Sequence, residues 1–226
     1  MIERYSSPQD FLKISSKKNI LLKNIKLILF DLDGVIIDSK LNMKKSWREV
    51  RRETKTKVKF EEYFKCIGMP FKKTLAKLKI KKNLLLIENI YKKESLKNIN
   101  NIKLYPKIKK TLKLLKEKKY KIGVVTSKDK KRTKIILKKL NLKFKHVVTP
   151  EKKLRGKPFP DQINKAIKLF NSKKSETIYI GDMICDENAA KNAGVSYAHA
   201  RWGYGKSITK IILKKPTSLV KIIGNF

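Results

Sequence analysis

The chain has 226 residues, 41% of them hydrophobic, which is enough for a buried core in one domain with a sizeable insertion or in two small ones. Its 58 basic residues against 19 acidic ones give a formal charge of +39, yet only seven are arginine and the 51 lysines run through every segment; that is the pattern of a solvated surface, whereas readers of nucleic acid gather arginine with aromatics on one face, so no specific nucleic-acid partner is expected. No apolar run approaches the roughly 20 residues of a bilayer span, the opening MIERYSSPQD lacks the order of a signal peptide, and Cys66 and Cys185 form no CxxC or Cys/His cluster; the expectation is a cytoplasmic protein with two reduced thiols and no membrane partner.

In chain order, residues 1–25 read as a tail with room for one helix. KLILF (26–30) is a buried strand running into Asp31-x-Asp33-Gly34. From 40 to 101 the apolar residues recur at helical spacing, Trp47/Val50, Phe60/Phe64, Leu75/Leu78 and Leu84–Ile87/Ile90/Tyr91, which predicts an inserted all-helical unit. Pro106 then opens a helix with Ile108, Leu112 and Leu115 on one face. KIGVV (121–125) is a strand ending in Thr126-Ser127, 134–141 is helical, HVV (146–148) is a strand, 161–170 a helix, and TIYI (177–180) a strand ending in Gly181-Asp182. A further strand at 195–200 is followed by a loop and helix, the apolar ITKIIL, and a last helix opened by Pro216-Thr217-Ser218. Strand alternating with helix predicts an α/β fold, a doubly wound parallel sheet with right-handed crossovers, made of 26–39 and 102–226 and interrupted by the helical unit at 40–101.

Such sheets bind ligands beyond the carboxyl ends of their strands. Four polar clusters fall there: Asp31/Asp33, Thr126/Ser127, Lys157 in GKPFPD, and Asp182/Asp186. Each alone has a plain structural reading, as a turn, a helix N-cap, one lysine among 51, or a first-turn acid. Their order and placement decide otherwise. The chain has only eight aspartates, and five lie in the stretches 31–38 and 182–186. Carboxylates gathered from separate strands suit Mg²⁺ with room for water and a phosphate. Lys157 and the Thr126 hydroxyl, with Ser127 beside it, suit the phosphoryl oxygens. One carboxylate can attack phosphorus while a second handles the leaving-group proton.

The motifs DLDGV (31–35), VVTS (124–127), GKPFPD (156–161) and GDMICD (181–186) together resemble the haloacid dehalogenase superfamily of phosphohydrolases, over roughly residues 26–222. The resemblance implies that Asp31 is the nucleophile forming an aspartyl-phosphate and that Asp33 is the acid/base. It implies that Thr126 and Lys157 hold the phosphoryl group. Mg²⁺ would be bound by the Asp31 carboxylate, the Asp33 backbone carbonyl and Asp182, with Asp186 a direct or water-mediated ligand. The helical insertion resembles the small cap of the phosphoglycolate-phosphatase-like group, as does HARWGYG (199–205). Within the superfamily an acid at Asp33 implies a phosphatase or phosphomutase. The sugar phosphomutases carry a His where this chain has Met43 and an Arg where it has Phe71, so the expected function is Mg²⁺-dependent hydrolysis of a small phosphorylated metabolite, with specificity from Trp47, Met69, Phe71 and Lys72. A phosphomutase or phosphonate hydrolase is the alternative within the superfamily. A non-catalytic anion or nucleic-acid binder is the alternative outside it.

Overall fold

The structure is a computed structural model, which describes residue 22 and residues 24–223; the tail expected at 1–25 lies almost wholly outside the described residues. Six parallel strands form one sheet in the order β5-β4-β1-β6-β7-β8: β1 (Leu27–Phe30), β4 (Lys121–Val125), β5 (His146–Val148), β6 (Thr177–Gly181), β7 (Ser196–Ala200) and β8 (Ile212–Leu213). All four residues of β1 are buried, because both faces of this central strand are covered. Side chains alternate across a strand. Ile28 and Phe30 therefore join one apolar cluster with Ile122, Val124, Ile178 and Ile180, while Leu27 and Leu29 join the other with Val125 and Tyr179.

Helices α5 (Ile108–Glu117), α6 (Lys130–Lys139) and α9 (Ser218–Ile223) cover the first face, through Leu112, Leu115, Ile136 and Leu219 among others. Helices α7 (Asp161–Leu169) and α8 (Ile184–Ala193) cover the second, through Ile163, Ala166, Ala189 and Ala193. Burying each large aliphatic side chain here contributes about 1.5–3 kcal/mol. The chain steps outward from β1 through β4 to β5, then returns to the other side of β1 at β6. The connections thus diverge at the carboxyl end of β1, where a crevice opens.

Two short antiparallel strands, β2 (Ile37–Asp38) and β3 (Lys103–Leu104), pair Ile37 with Leu104 and Asp38 with Lys103. Between them lie α1 (Lys40–Thr54), α2 (Phe60–Phe64), α3 (Phe71–Lys77) and α4 (Leu84–Lys97), which share their own apolar cluster around Trp47, Tyr63, Leu75, Ile87 and Tyr91. Trp47 stacks on Tyr63 with ring centroids 4.2 Å apart, and buried Asn42 and Ser95 tie α1 to α4 by hydrogen bonds of 2.8 and 2.9 Å.

Three local expectations are corrected. α6 starts at Lys130, not 134, because Asp129 caps it by accepting from the Arg132 backbone N–H at 3.0 Å. Leu84, Leu85 and Leu86 are exposed, and α4 buries Ile87, Ile90 and Tyr91 instead. No helix lies between β7 and β8; residues 201–211 form a looped segment that turns back over the carboxyl ends of the strands. No helix among the described residues is long and apolar enough to cross a membrane.

Candidate active site

Asp31 follows β1 directly. Its backbone N–H donates to Ile180 O at 2.8 Å, which extends the β1–β6 pairing one residue further and points the carboxyl end of the strand at the crevice. Gly34 then turns the chain at φ +86°, and a Cβ there would stand 2.1 Å from Asp182 Oδ2. Only glycine permits both the dihedral and that approach. From the opposite side Gly203 presses on the same carboxylate, a Cβ there falling 2.3 Å from the Asp182 Cβ, and the Tyr204 N–H donates to Asp182 Oδ2 at 2.7 Å. The segment 201–205 is therefore built around Asp182.

Asp31, Asp182 and Asp186 are all buried, and one carboxylate oxygen from each lies within 4.8 Å of the others. Lys157, also buried, sits 2.8 Å from Asp31 Oδ1 and 2.7 Å from Asp186 Oδ1. Three carboxylates against one ammonium leave two negative charges in a buried space. The consequence shows in their protonation: burial, with the Asp186 carboxylate nearby, overrides the attraction of Lys157 and pushes Asp31 up to about 7. Burial, then Asp186 and Asp31, raise Asp182 well above the usual carboxylate range. Burial works against the Lys157 ammonium, but Asp186 and Asp31 outweigh it and hold the proton more tightly than in an ordinary lysine. Asp182 Oδ1 is buried with no hydrogen-bond partner. An orphaned carboxylate oxygen and a doubly negative all-oxygen donor set fit a small hard dication.

Asp186 differs from its neighbours. Its Oδ2 accepts from the Asp182 and Met183 backbone N–H groups at 3.2 and 3.0 Å, and its Oδ1 accepts from the Tyr179 hydroxyl at 3.2 Å and faces Lys157. Both oxygens are committed to protein donors.

Asp33 is partly exposed on the cavity side. Its Oδ1 accepts a short hydrogen bond from the Ser39 hydroxyl, and its Oδ2 lies 3.2 Å from Lys128 Nζ. Asp31, Asp33, Thr126, Ser127, Lys128 and Arg132 line one cavity from below. Met43, Tyr63, Ile67, Met69, Phe71 and Tyr91 line it from the helical side. Thr126 caps no helix: its backbone carbonyl accepts from Gln162 Nε2 at 3.1 Å, and its hydroxyl accepts from the Lys128 N–H at 3.2 Å. The Ser127 hydroxyl donates across the cavity wall to Gly68 O at 2.8 Å, so it is spent on the helical side. Trp47 is buried among the helices with its indole N–H on Val58 O at 3.0 Å, and Lys72 is exposed; neither lines the cavity, whereas Met69 and Phe71 do.

Residues 28–200 match the family model for haloacid dehalogenase-like hydrolases. The chain belongs to that family. It is 32% identical over 212 residues to a phosphoglycolate phosphatase from Aquifex aeolicus, covering 89% of this chain and 98% of that one, and 30% identical over 210 residues to pyrophosphatase PpaX from Anoxybacillus flavithermus, with the same coverage. Among solved structures it resembles a hydrolase from Pseudomonas syringae (TM-score 0.79, 23% identity, 87% and 96% coverage) and a haloacid dehalogenase-like hydrolase from Streptococcus pneumoniae (TM-score 0.78, 22% identity, 88% and 98%). The chain is a phosphatase of this family, of the phosphoglycolate-phosphatase-like group.

Lys128 and Arg132 escape a reading by motif. Lys128 is one lysine among 51, and the only sign of it is its place three residues beyond a strand end, where the crevice lies. Tyr204 lies within HARWGYG, but its contact with Asp182 is made by a backbone N–H and leaves no sign in the sequence.

Proposed function

We propose that this phosphatase hydrolyses a small phosphomonoester with Mg²⁺, with Asp31 as nucleophile and Asp33 as general acid and base. The observation that carries the reading is the shared cavity of Asp31 and Asp33, in which Lys157 attends the first and Ser39 and Lys128 hold the second. An Asp31 oxygen attacks phosphorus and the bond to the leaving oxygen breaks, giving an aspartyl-phosphate. Asp33 delivers a proton to that leaving oxygen, then takes one from the water that attacks the aspartyl-phosphate, so that inorganic phosphate leaves and Asp31 is regenerated. The Thr126 hydroxyl and the Lys157 ammonium face the charge on the phosphoryl oxygens, where positioned donors act most strongly.

Asp31, Asp182 and the Asp33 carbonyl would hold Mg²⁺, with Asp186 acting through water because its own oxygens are taken. When bound, the ion neutralises phosphoryl charge and keeps the nucleophile aligned. We read the helices α1–α4 as a cap. The cavity under them is small, about 60 Å³, which favours a small metabolite over a polymer end. Met43 and Phe71 both line it and no histidine does, which supports a phosphatase over a sugar phosphomutase that needs a base at the sugar hydroxyl.

The test is phosphate release from phosphoglycolate, pyrophosphate, sugar phosphates and nucleotides, in Mg²⁺, in EDTA and in Ca²⁺. Activity is expected in Mg²⁺ alone, since Ca²⁺ takes more ligands at longer distances. Full turnover in EDTA, or from an Asp31→Asn variant, overturns the reading.

A further inference from the structure

Arg132 stands apart from the other described arginines. Arg48, Arg51, Arg52, Arg155 and Arg201 are exposed, whereas Arg132, in the first turn of α6, is 6% exposed. A guanidinium keeps its charge at any working pH, so burying it demands partners on every side. One side has them: the Arg132 Nε donates to Asp129 Oδ2 in a short bond, and Asp129 is fixed in turn as the cap of α6. The face of the guanidinium lies 5.3 Å from the centre of the Tyr91 ring. The Tyr91 side chain also hydrogen-bonds the guanidinium, which leaves one nitrogen. Nη1 is buried with no hydrogen-bond partner, and Arg132 is one of the residues that line the cavity of Asp31 and Asp33.

An unpaired guanidinium N–H at the wall of a polar cavity is a place for an anion. It is not the place of the transferring phosphoryl group, which Asp31, Thr126 and Lys157 claim. Lys128, the other buried cation of the cavity, already faces Asp33 at 3.2 Å. A cavity of about 60 Å³ has room for roughly four water-sized groups, so anything reaching Arg132 from the phosphoryl position must be short.

We propose that Arg132 is the specificity-determining residue of this site and binds a second anionic group of the substrate, a carboxylate or a second phosphoryl group a few bonds from the reacting phosphorus. The inference deepens the phosphatase reading and rests on it for the position of the first group. Beside the buried point charges of Lys128 and Lys157, Arg132 is the one described buried arginine, and only its planar fork can grip two oxygens at once.

The test compares ligands that cannot turn over. With Mg²⁺ present, phosphonoacetate carries a phosphonate and a carboxylate, while methylphosphonate carries the phosphonate alone. Calorimetric titration of the wild-type protein is expected to show phosphonoacetate binding tighter by about tenfold or more, the size of a charge-assisted hydrogen bond. Arg132→Gln is expected to erase most of that advantage and Arg132→Lys to leave part of it. The kinetic arm measures kcat/KM for phosphoglycolate and for pyrophosphate relative to ethyl phosphate; whichever ratio is high in the wild type and falls in Arg132→Gln names the second group. No preference for phosphonoacetate in the wild type, or a preference that survives both substitutions, overturns the proposal. Should Arg132→Gln fail to fold because Asp129 is left alone, the wild-type comparison and Arg132→Lys still decide. Absence of Asp31-dependent phosphate release would sink the phosphatase reading alone, and the binding arm would remain readable.

Discussion

The floor and the roof of the cavity come from the same chain by opposite means. The floor is made at strand ends: Asp31 and Thr126 line it, and Lys157, Asp182 and Asp186 support it from beneath, all of them almost wholly buried and fixed by the sheet, by backbone N–H donors and by one another. The roof is made of helix faces and a loop, with Met43, Ile67, Met69 and Phe71 supplying apolar surface and Tyr63 and Tyr91 supplying rings. A crowd of like charges in a buried place costs stability and is kept for chemistry, whereas apolar helix faces stabilise themselves and can vary without touching the reaction. Floor substitutions should therefore act on kcat, and roof substitutions on KM and selectivity.

The sharpest way to break that division is at the floor. Asp31→Asn should abolish phosphate release while circular dichroism reports an unchanged fold, since an amide does not attack phosphorus. Asp33→Asn should keep Mg²⁺ binding and lose about 10²–10⁴-fold in kcat, as is usual for a positioned acid/base; a change confined to KM would remove Asp33 from that role. Mg²⁺ should raise the melting temperature more at pH 8 than at pH 5.5. In the cation-free fold Asp31 holds its proton to about 7, above the roughly 3.9 of an unfolded aspartate. That fold consequently loses stability as pH climbs from about 4 to 7, and Mg²⁺, which needs the ionised carboxylate, restores more of it there. A Mg²⁺ effect independent of pH would contradict the shared site.

At the roof, Phe71→Ala should raise KM several-fold with kcat within about twofold, and an equal fall in kcat would mean that floor and roof are not separable. Ser127→Ala removes one hydrogen bond between them, to Gly68 O. It should cost about 0.5–1.5 kcal/mol in stability, the smallest of these effects, read as a modest fall in melting temperature.

The floor was legible in the sequence because its residues are scarce types at fixed places: Asp31, Asp33, Asp182 and Asp186 follow apolar runs whose strand character is plain. The roof was not. Helical periodicity finds the apolar stripe of α1 but cannot say that Trp47 faces Tyr63 inside the bundle while Met43, one turn away, reaches the cavity. Sequence places Ser127 beside Thr126 as a phosphate ligand; that its hydroxyl donates to Gly68 O depends on tertiary packing, which no local pattern shows. In place of the helix expected after β7, Gly203 and Gly205 bring the backbone against Asp182 and Met183 more closely than any side chain would allow, a contact set by tertiary packing.

The β2–β3 pairing has a consequence for engineering. Asp38 and Lys103 are hydrogen-bonded neighbours on adjacent antiparallel strands, about 4.8 Å apart, so the chain leaves the sheet domain and returns to it through one narrow doorway. A two-residue turn of the kind that closes hairpins can bridge that gap. The sixty-odd residues between them therefore enter and leave through one pair of strands, and a graft made at Asp38 and Lys103 should keep Ser39, which holds Asp33, to leave the sheet and its site unaltered.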